Sequence, residues 1–177
     1  DVPEQKNPTV EYGWQNALTV PRRVFIEERK VKQYPVEELL TLRKNEKLLN
    51  PEDESERLEC YDVEIRVNPE REFEIVISDG IRLSYKKETQ IFSLEFDEET
   101  GLGYGRKSRS VRMESCEAVR MLMDTSCMEI YLNGGEEVFT SRFYTPDGRS
   151  CFRVKNPGAK IRYWEMDSPE IVLGDAL

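Results

Sequence analysis

The stretch "YDVEIRV", Tyr61 to Val67, alternates Tyr61, Val63, Ile65 and Val67 with Asp62, Glu64 and Arg66. A helix would scatter that pattern around its circumference, whereas a strand places successive side chains on opposite faces and gathers the apolar set on one. The chain from residue 58 onward therefore has to build sheets with one face in a core. Further short strands are predicted at "FEIVI", "IRLSY", "IFSLEF", "SVRM", "AVRMLM", "MEIYL", "EVFTSRFY", "CFRV" and "AKIRYWEM", punctuated by Gly, Asp and Asn. About ten such strands with no long helix among them predict an all-β fold, an antiparallel two-sheet β-sandwich of jelly-roll or concanavalin-like kind.

Register can be read at one turn. In "FEIVISDGIRLSY" the apolar set is Phe73, Ile75 and Ile77, then Ile81, Leu83 and Tyr85. A two-residue Asp79-Gly80 loop would set Ile77 opposite Arg82. A three-residue Ser78-Asp79-Gly80 loop sets it opposite Ile81, with Gly80 left-handed in a bulge.

The first third of the chain is less regular. "WQNALTV" predicts a strand whose even positions, Trp14, Leu18 and Val20, form an apolar face in need of a partner. "RRVFIEERKVKQ" suits an extended pair or edge segment. "VEELLTLRKNEKLL" follows Pro35 with leucines at helical intervals and with Glu37 and Glu38 in its first turn, so one short N-terminal linker helix is predicted. "NPEDESER" is a charged break and the expected boundary of the sandwich.

Charge and residue usage narrow the chemistry. Lys and Arg total 26 against 35 Asp and Glu, a net charge of -9, which disfavours nucleic acid and anionic membrane surfaces. The chain has no histidine, which removes the commonest general base and zinc ligand. Cys60, Cys116, Cys127 and Cys151 show no C-x-x-C spacing, so no metal site is predicted, nor any cofactor site. Free thiols in a reducing cytoplasm are expected. The chain opens at Asp1 on "DVPEQKNPTVEYGW", which suggests a piece of a longer protein.

Carboxylates are the remaining catalytic candidates, and "VRMLMDTSCMEIYLNGGEEVFTSRFY" gathers Asp124, Glu129, Glu136 and Glu137. Val119, Met121 and Met123 share a face with Met128, Ile130 and Leu132. Asp124 then falls in a turn, Glu129 on the face opposite the methionines, and Glu136 and Glu137 just past the turn Asn133-Gly134-Gly135. All four are expected to be structural or solvated. No catalytic residue is predicted.

That stretch resembles the signature of the C-terminal β-sandwich of glycoside hydrolase family 32. There an apolar strand, an Asp turn, an Asn-Asp/Gly-Gly turn and a Thr-Ser-Arg strand follow one another. "YGWQNALTVPRRV" is similar to the end of the catalytic domain in this family, and "QYPVEELLTLRK" to the connection after it. Thr125-Ser126-Cys127 stands where Arg-Ser-Ser is usual, and Pro21-Arg22-Arg23 where Pro-Arg-Glu is usual. The resemblance implies terminal strands of an upstream five-bladed propeller at 1–34, a linker helix and charged connection at 35–57, and the sandwich at 58–177. It also implies that the nucleophile and acid/base lie upstream, in Asn-Asp-Pro and Glu-Cys motifs of a retaining enzyme acting on sucrose or sucrose 6-phosphate. Glu59-Cys60 spells the second motif but sits at the entry of the first sandwich strand, so it is taken as coincidence. Implied partners are the propeller and possible homodimers. A stand-alone carbohydrate-binding module is the alternative, with Trp164, Tyr163, Tyr131 and Tyr104 as candidate sugar platforms, and a purely structural interaction domain is a third.

Overall fold

A computed structural model describes residues 5–167. The alternating segments pair as their patterns require. A six-stranded antiparallel sheet runs in the order β11 (Glu137–Arg142), β10 (Cys127–Leu132), β9 (Ala118–Met123), β4 (Tyr61–Arg66), β13 (Lys160–Met166), β3 (Arg43–Leu49). A five-stranded sheet runs β12 (Phe152–Lys155), β5 (Phe73–Ile77), β6 (Ile81–Lys86), β7 (Ile91–Phe96), β8 (Arg109–Arg112). The core fills the space between them with Tyr61, Val63 and Ile65, Ile75, Ile77 and Leu83, Phe92 and Leu94, Met121, Met128 and Ile130. Each such side chain contributes about 1.5–3 kcal/mol by leaving water.

Ile77 pairs with Ile81, so the three-residue loop holds. The left-handed residues, however, are Ser78 (φ 46°) and Asp79 (φ 53°), not Gly80. Gly80 is there for room: a Cβ on it would lie 2.3 Å from the Thr100 hydroxyl oxygen and 2.7 Å from Leu102 Cδ1.

Two readings of the first third are corrected. Trp14–Val20 forms no strand, because among the described residues no neighbouring strand offers it a ladder; Leu18 is 97% exposed. The predicted linker helix shrinks to a six-residue 3-10 turn, Glu37–Leu42. The residues after it become β3, which pairs with β13 and bulges where Asn45 is left-handed. A helix of so few residues is marginal by itself, and an unpaired sheet edge outweighs its propensity. The expected extended pair is present as the hairpin β1 (Arg22–Glu27) and β2 (Lys30–Pro35).

Candidate functional site

Strands β9 and β10 are buried at nearly every position, so over these two strands the outward face of the six-stranded sheet is covered too. The cover is the N-terminal segment with its hairpin. Gln33 N–H donates to the Gly135 carbonyl at 3.0 Å, and the Tyr34 and Tyr131 rings meet edge-on at 5.6 Å. A Cβ on Gly135 would sit 1.9 Å from the Gln33 carbonyl oxygen, so only glycine permits this approach.

Glu129 projects into that interface. Its carboxylate accepts from Val20 N–H at 2.8 Å, from Arg22 Nη2 at 2.6 Å and from the Tyr131 hydroxyl at 2.5 Å. Arg22 reaches on to the Thr140 hydroxyl at 2.7 Å. Burial pulls the Arg22 guanidinium's pKa down, but its hydrogen bond to Glu129 and the neighbouring Tyr131 and Glu129 together outweigh it, and the net shift is upward. Burial and the adjacent Glu129 both push the Tyr131 phenol above its ordinary value. Glu129 is thus ion-paired and only 4% exposed, not solvated.

Beside it lies a second ionic layer. Asp62, fully buried, accepts from Arg120 Nε and Nη2 at 3.0 and 2.8 Å and from Arg43 Nε at 2.7 Å. Arg43 also donates to Glu64, which pairs with Arg162. The Arg43 guanidinium lies 3.8 Å from the centroid of the Trp164 ring, with Arg162 5.3 Å away. The sequence reading missed this layer. Its signal was Arg120 inside the apolar run "AVRMLM", since a strand apolar on both faces is covered on both.

Each of the other candidates has its own partners. Asp124 sits in its turn, accepting from Thr125 N–H at 2.7 Å and from the Cys60 thiol at 3.2 Å. Glu136 is ion-paired with Lys30, and Glu137, half-buried, is pushed above its ordinary pKa by burial and by Glu136. Glu59 is exposed and pairs with Arg149. Among the sugar-platform candidates Trp164, Tyr163 and Tyr131 are buried, and only Tyr104 reaches solvent. All four cysteines are free thiols, and burial pushes Cys60 up to about 12 and Cys127 to about 11. Such thiols are poor nucleophiles. The geometry holds a strap against a sheet, and among the described residues the two buried carboxylates, Asp62 and Glu129, are each occupied by arginine.

A family model described as "Glycosyl hydrolases family 32 C terminal" matches residues 30–165. The chain belongs to glycosyl hydrolase family 32. Within the family it is 31% identical over 157 residues to a sucrose-6-phosphate hydrolase of Bacillus subtilis (strain 168), covering 81% of this chain and 31% of that protein. It is 25% identical to a sucrose-6-phosphate hydrolase of Streptococcus mutans, over 93% of this chain and 36% of that one. The fold is shared with the sucrose-6-phosphate hydrolase of Lactobacillus gasseri, at a TM-score of 0.78 and 20% identity, over 94% of this chain and 37% of that one. The chain thus spans about a third of the length of the family members it matches. It corresponds to the family's C-terminal domain, an antiparallel β-sandwich.

Proposed function

We propose that this chain is the non-catalytic C-terminal part of a retaining β-fructofuranosidase that cleaves sucrose or sucrose 6-phosphate, with the catalytic carboxylates in a propeller upstream. The observation that carries the reading is the family match over residues 30–165 together with the occupied state of the buried carboxylates, Glu129 on Arg22 and Asp62 on Arg120. A retaining glycosidase needs two carboxyl groups about 5 Å apart, free to act as nucleophile and as acid/base. Neither buried group is free.

In the whole protein the sandwich would cover an apolar flank of the propeller. Support comes from where the large exposed hydrophobics fall among the described residues: most lie in the first third of the chain, with Val24, Ile26 and Val31 together on the hairpin, and only Ile91 and Tyr104 lie beyond it. The family match begins at residue 30, at the start of β2, and takes in the connection at 35–57 along with the sandwich. The same surface offers a route to homodimers when the propeller is missing. The unpaired thiols support a reducing compartment such as the cytoplasm. The test is sugar release from sucrose and sucrose 6-phosphate by the full-length protein and by this chain alone. Hydrolysis by the full-length protein only is expected. Reducing sugar released by the chain alone, and abolished by Glu59→Gln, would overturn the reading.

A further inference from the structure

Where the N-terminal segment crosses the rim of the sandwich it leaves a cleft of about 310 Å³ walled by Arg106, Arg109 and Arg142, with neutral polar side chains such as Asn16, Thr19 and Thr140 around them. Among the described residues no Asp or Glu lines it. That is a conspicuous omission in a chain with 35 acidic residues against 26 basic ones.

The three guanidinium groups have only neutral acceptors. Arg106 donates to the Lys6 and Gly103 carbonyls and to the Asn7 side-chain oxygen. Arg109 donates to the Thr140 carbonyl and the Ser141 hydroxyl. Arg142 donates to the Ser126 carbonyl and hydroxyl and to the Gln15 carbonyl. These bonds fix the positions of the cations without neutralising them, and among the described residues none of the three makes an ion pair. The repulsion registers on Arg106, whose pKa is drawn down by burial and further by the charges of Arg142 and Arg109. Aromatic rings brace the cluster from behind: Arg106 and Arg142 lie 5.5 and 5.3 Å from the Tyr144 centroid.

Like charges held together in a partly dry cleft raise the free energy of the empty site, and a compact dianion relieves it. Arginine forks match phosphoryl oxygens two at a time. The cleft is larger than a phosphate ion, and the rest of its lining donates and accepts hydrogen bonds without charge. We infer that this cleft binds a phosphorylated sugar or polyol, with the phosphoryl group among Arg106, Arg109 and Arg142 and the hydroxyls toward Asn16, Thr19 and Thr140. The inference rests on this chain's own residues and does not depend on which substrate the parent protein cleaves.

Titration calorimetry at low salt tests it, on this chain and on the full-length protein, with inorganic phosphate, glucose 6-phosphate and glucose as probes. Saturable binding of both phosphorylated probes is expected, tighter for glucose 6-phosphate, with none for glucose at the same concentration. Arg109→Gln, at an exposed position, should weaken binding about tenfold or more, and Arg109→Lys by less, because lysine keeps the charge but loses the fork. Arg82→Gln, which alters an arginine already paired with Glu74, should change nothing. Equal affinity for phosphate and glucose 6-phosphate would overturn the sugar half of the assignment. Absence of saturable binding to the folded wild type, an equal loss with Arg82→Gln, or binding by this chain that disappears in the full-length protein would overturn the whole.

Discussion

Glu129→Ala is the sharpest probe of how the N-terminal segment is held. The substitution removes the acceptor for Val20 N–H, Arg22 and the Tyr131 hydroxyl in one step. It strands Arg22, whose side chain is 15% exposed, opposite a buried phenol. Breaking a buried pair by deleting one partner costs about 3–5 kcal/mol. The loss should be local rather than global. Residues 14–35 contribute little to the core between the two sheets, which is built by residues from Tyr61 onward. A local cost of about 3 kcal/mol corresponds to roughly a hundredfold rise in the open population of the strap. Hydrogen exchange followed by mass spectrometry reads this directly: peptides covering β1 and β2 should lose about two orders of magnitude of protection, while β4, β5 and β6 keep theirs. Pairing Arg22→Met with Glu129→Leu should recover much of the loss, since an apolar pair of similar volume fills the site without a stranded charge. The reasoning is refuted if protection falls equally across both sheets, or if the strap keeps its protection in Glu129→Ala.

Three further outcomes follow from the same geometry. Gly135→Ala should loosen the hairpin by another route, because its Cβ would meet the Gln33 backbone oxygen at 1.9 Å and its φ is +90°; limited proteolysis near Arg29 should speed up at unchanged thermal midpoint. Asp62→Asn should act globally, since Asp62 is fully buried between Arg120 and Arg43; a cost of about 3 kcal/mol lowers Tm by roughly 6–12 °C for a chain of this size, checked by calorimetry. Acid should weaken the same layer. Burial raises the Glu64 pKa, but the hydrogen bond from Arg43 and the charges of Arg43, Arg120 and Arg162 together prevail, so the folded value lies below the ordinary 4.5. Its contribution is then present above that value and lost as pH falls through the folded one, and Arg43→Met should flatten this part of an acid denaturation curve.

The sandwich was legible because its strands obey two constraints at once. Alternation in "YDVEIRV" and "FEIVISDGIRLSY" assigns each residue to a face, and the turn chemistry sets the register that keeps Ile77 opposite Ile81. Local signals failed where a distant partner decides. Arg43–Leu49 looked helical by spacing, yet β13 offered it an edge, and Arg43 supplies the cation between Asp62 and Trp164. Trp14–Val20 looked like a strand, yet among the described residues nothing pairs with it.

The carboxylates show the same division. Position 129 was correctly placed on the face away from the methionines, and the step from outward-facing to solvated was the error. It assumed that the second face of the sheet meets water, which holds for an antiparallel sheet only when nothing packs on it. The apolar company of Glu129 and Tyr131 in "CMEIYL", and of Arg120 in "AVRMLM", was the warning. A charged residue between apolar neighbours on a strand asks for a partner of opposite sign from another element. Arg22 meets that need for Glu129 and Asp62 for Arg120, from 107 and 58 residues away. The strap and the sandwich are therefore specified together: the acid on β10 has a defined geometry only when Arg22 and the Val20 amide arrive, and the strap has a defined path only because that acid is there.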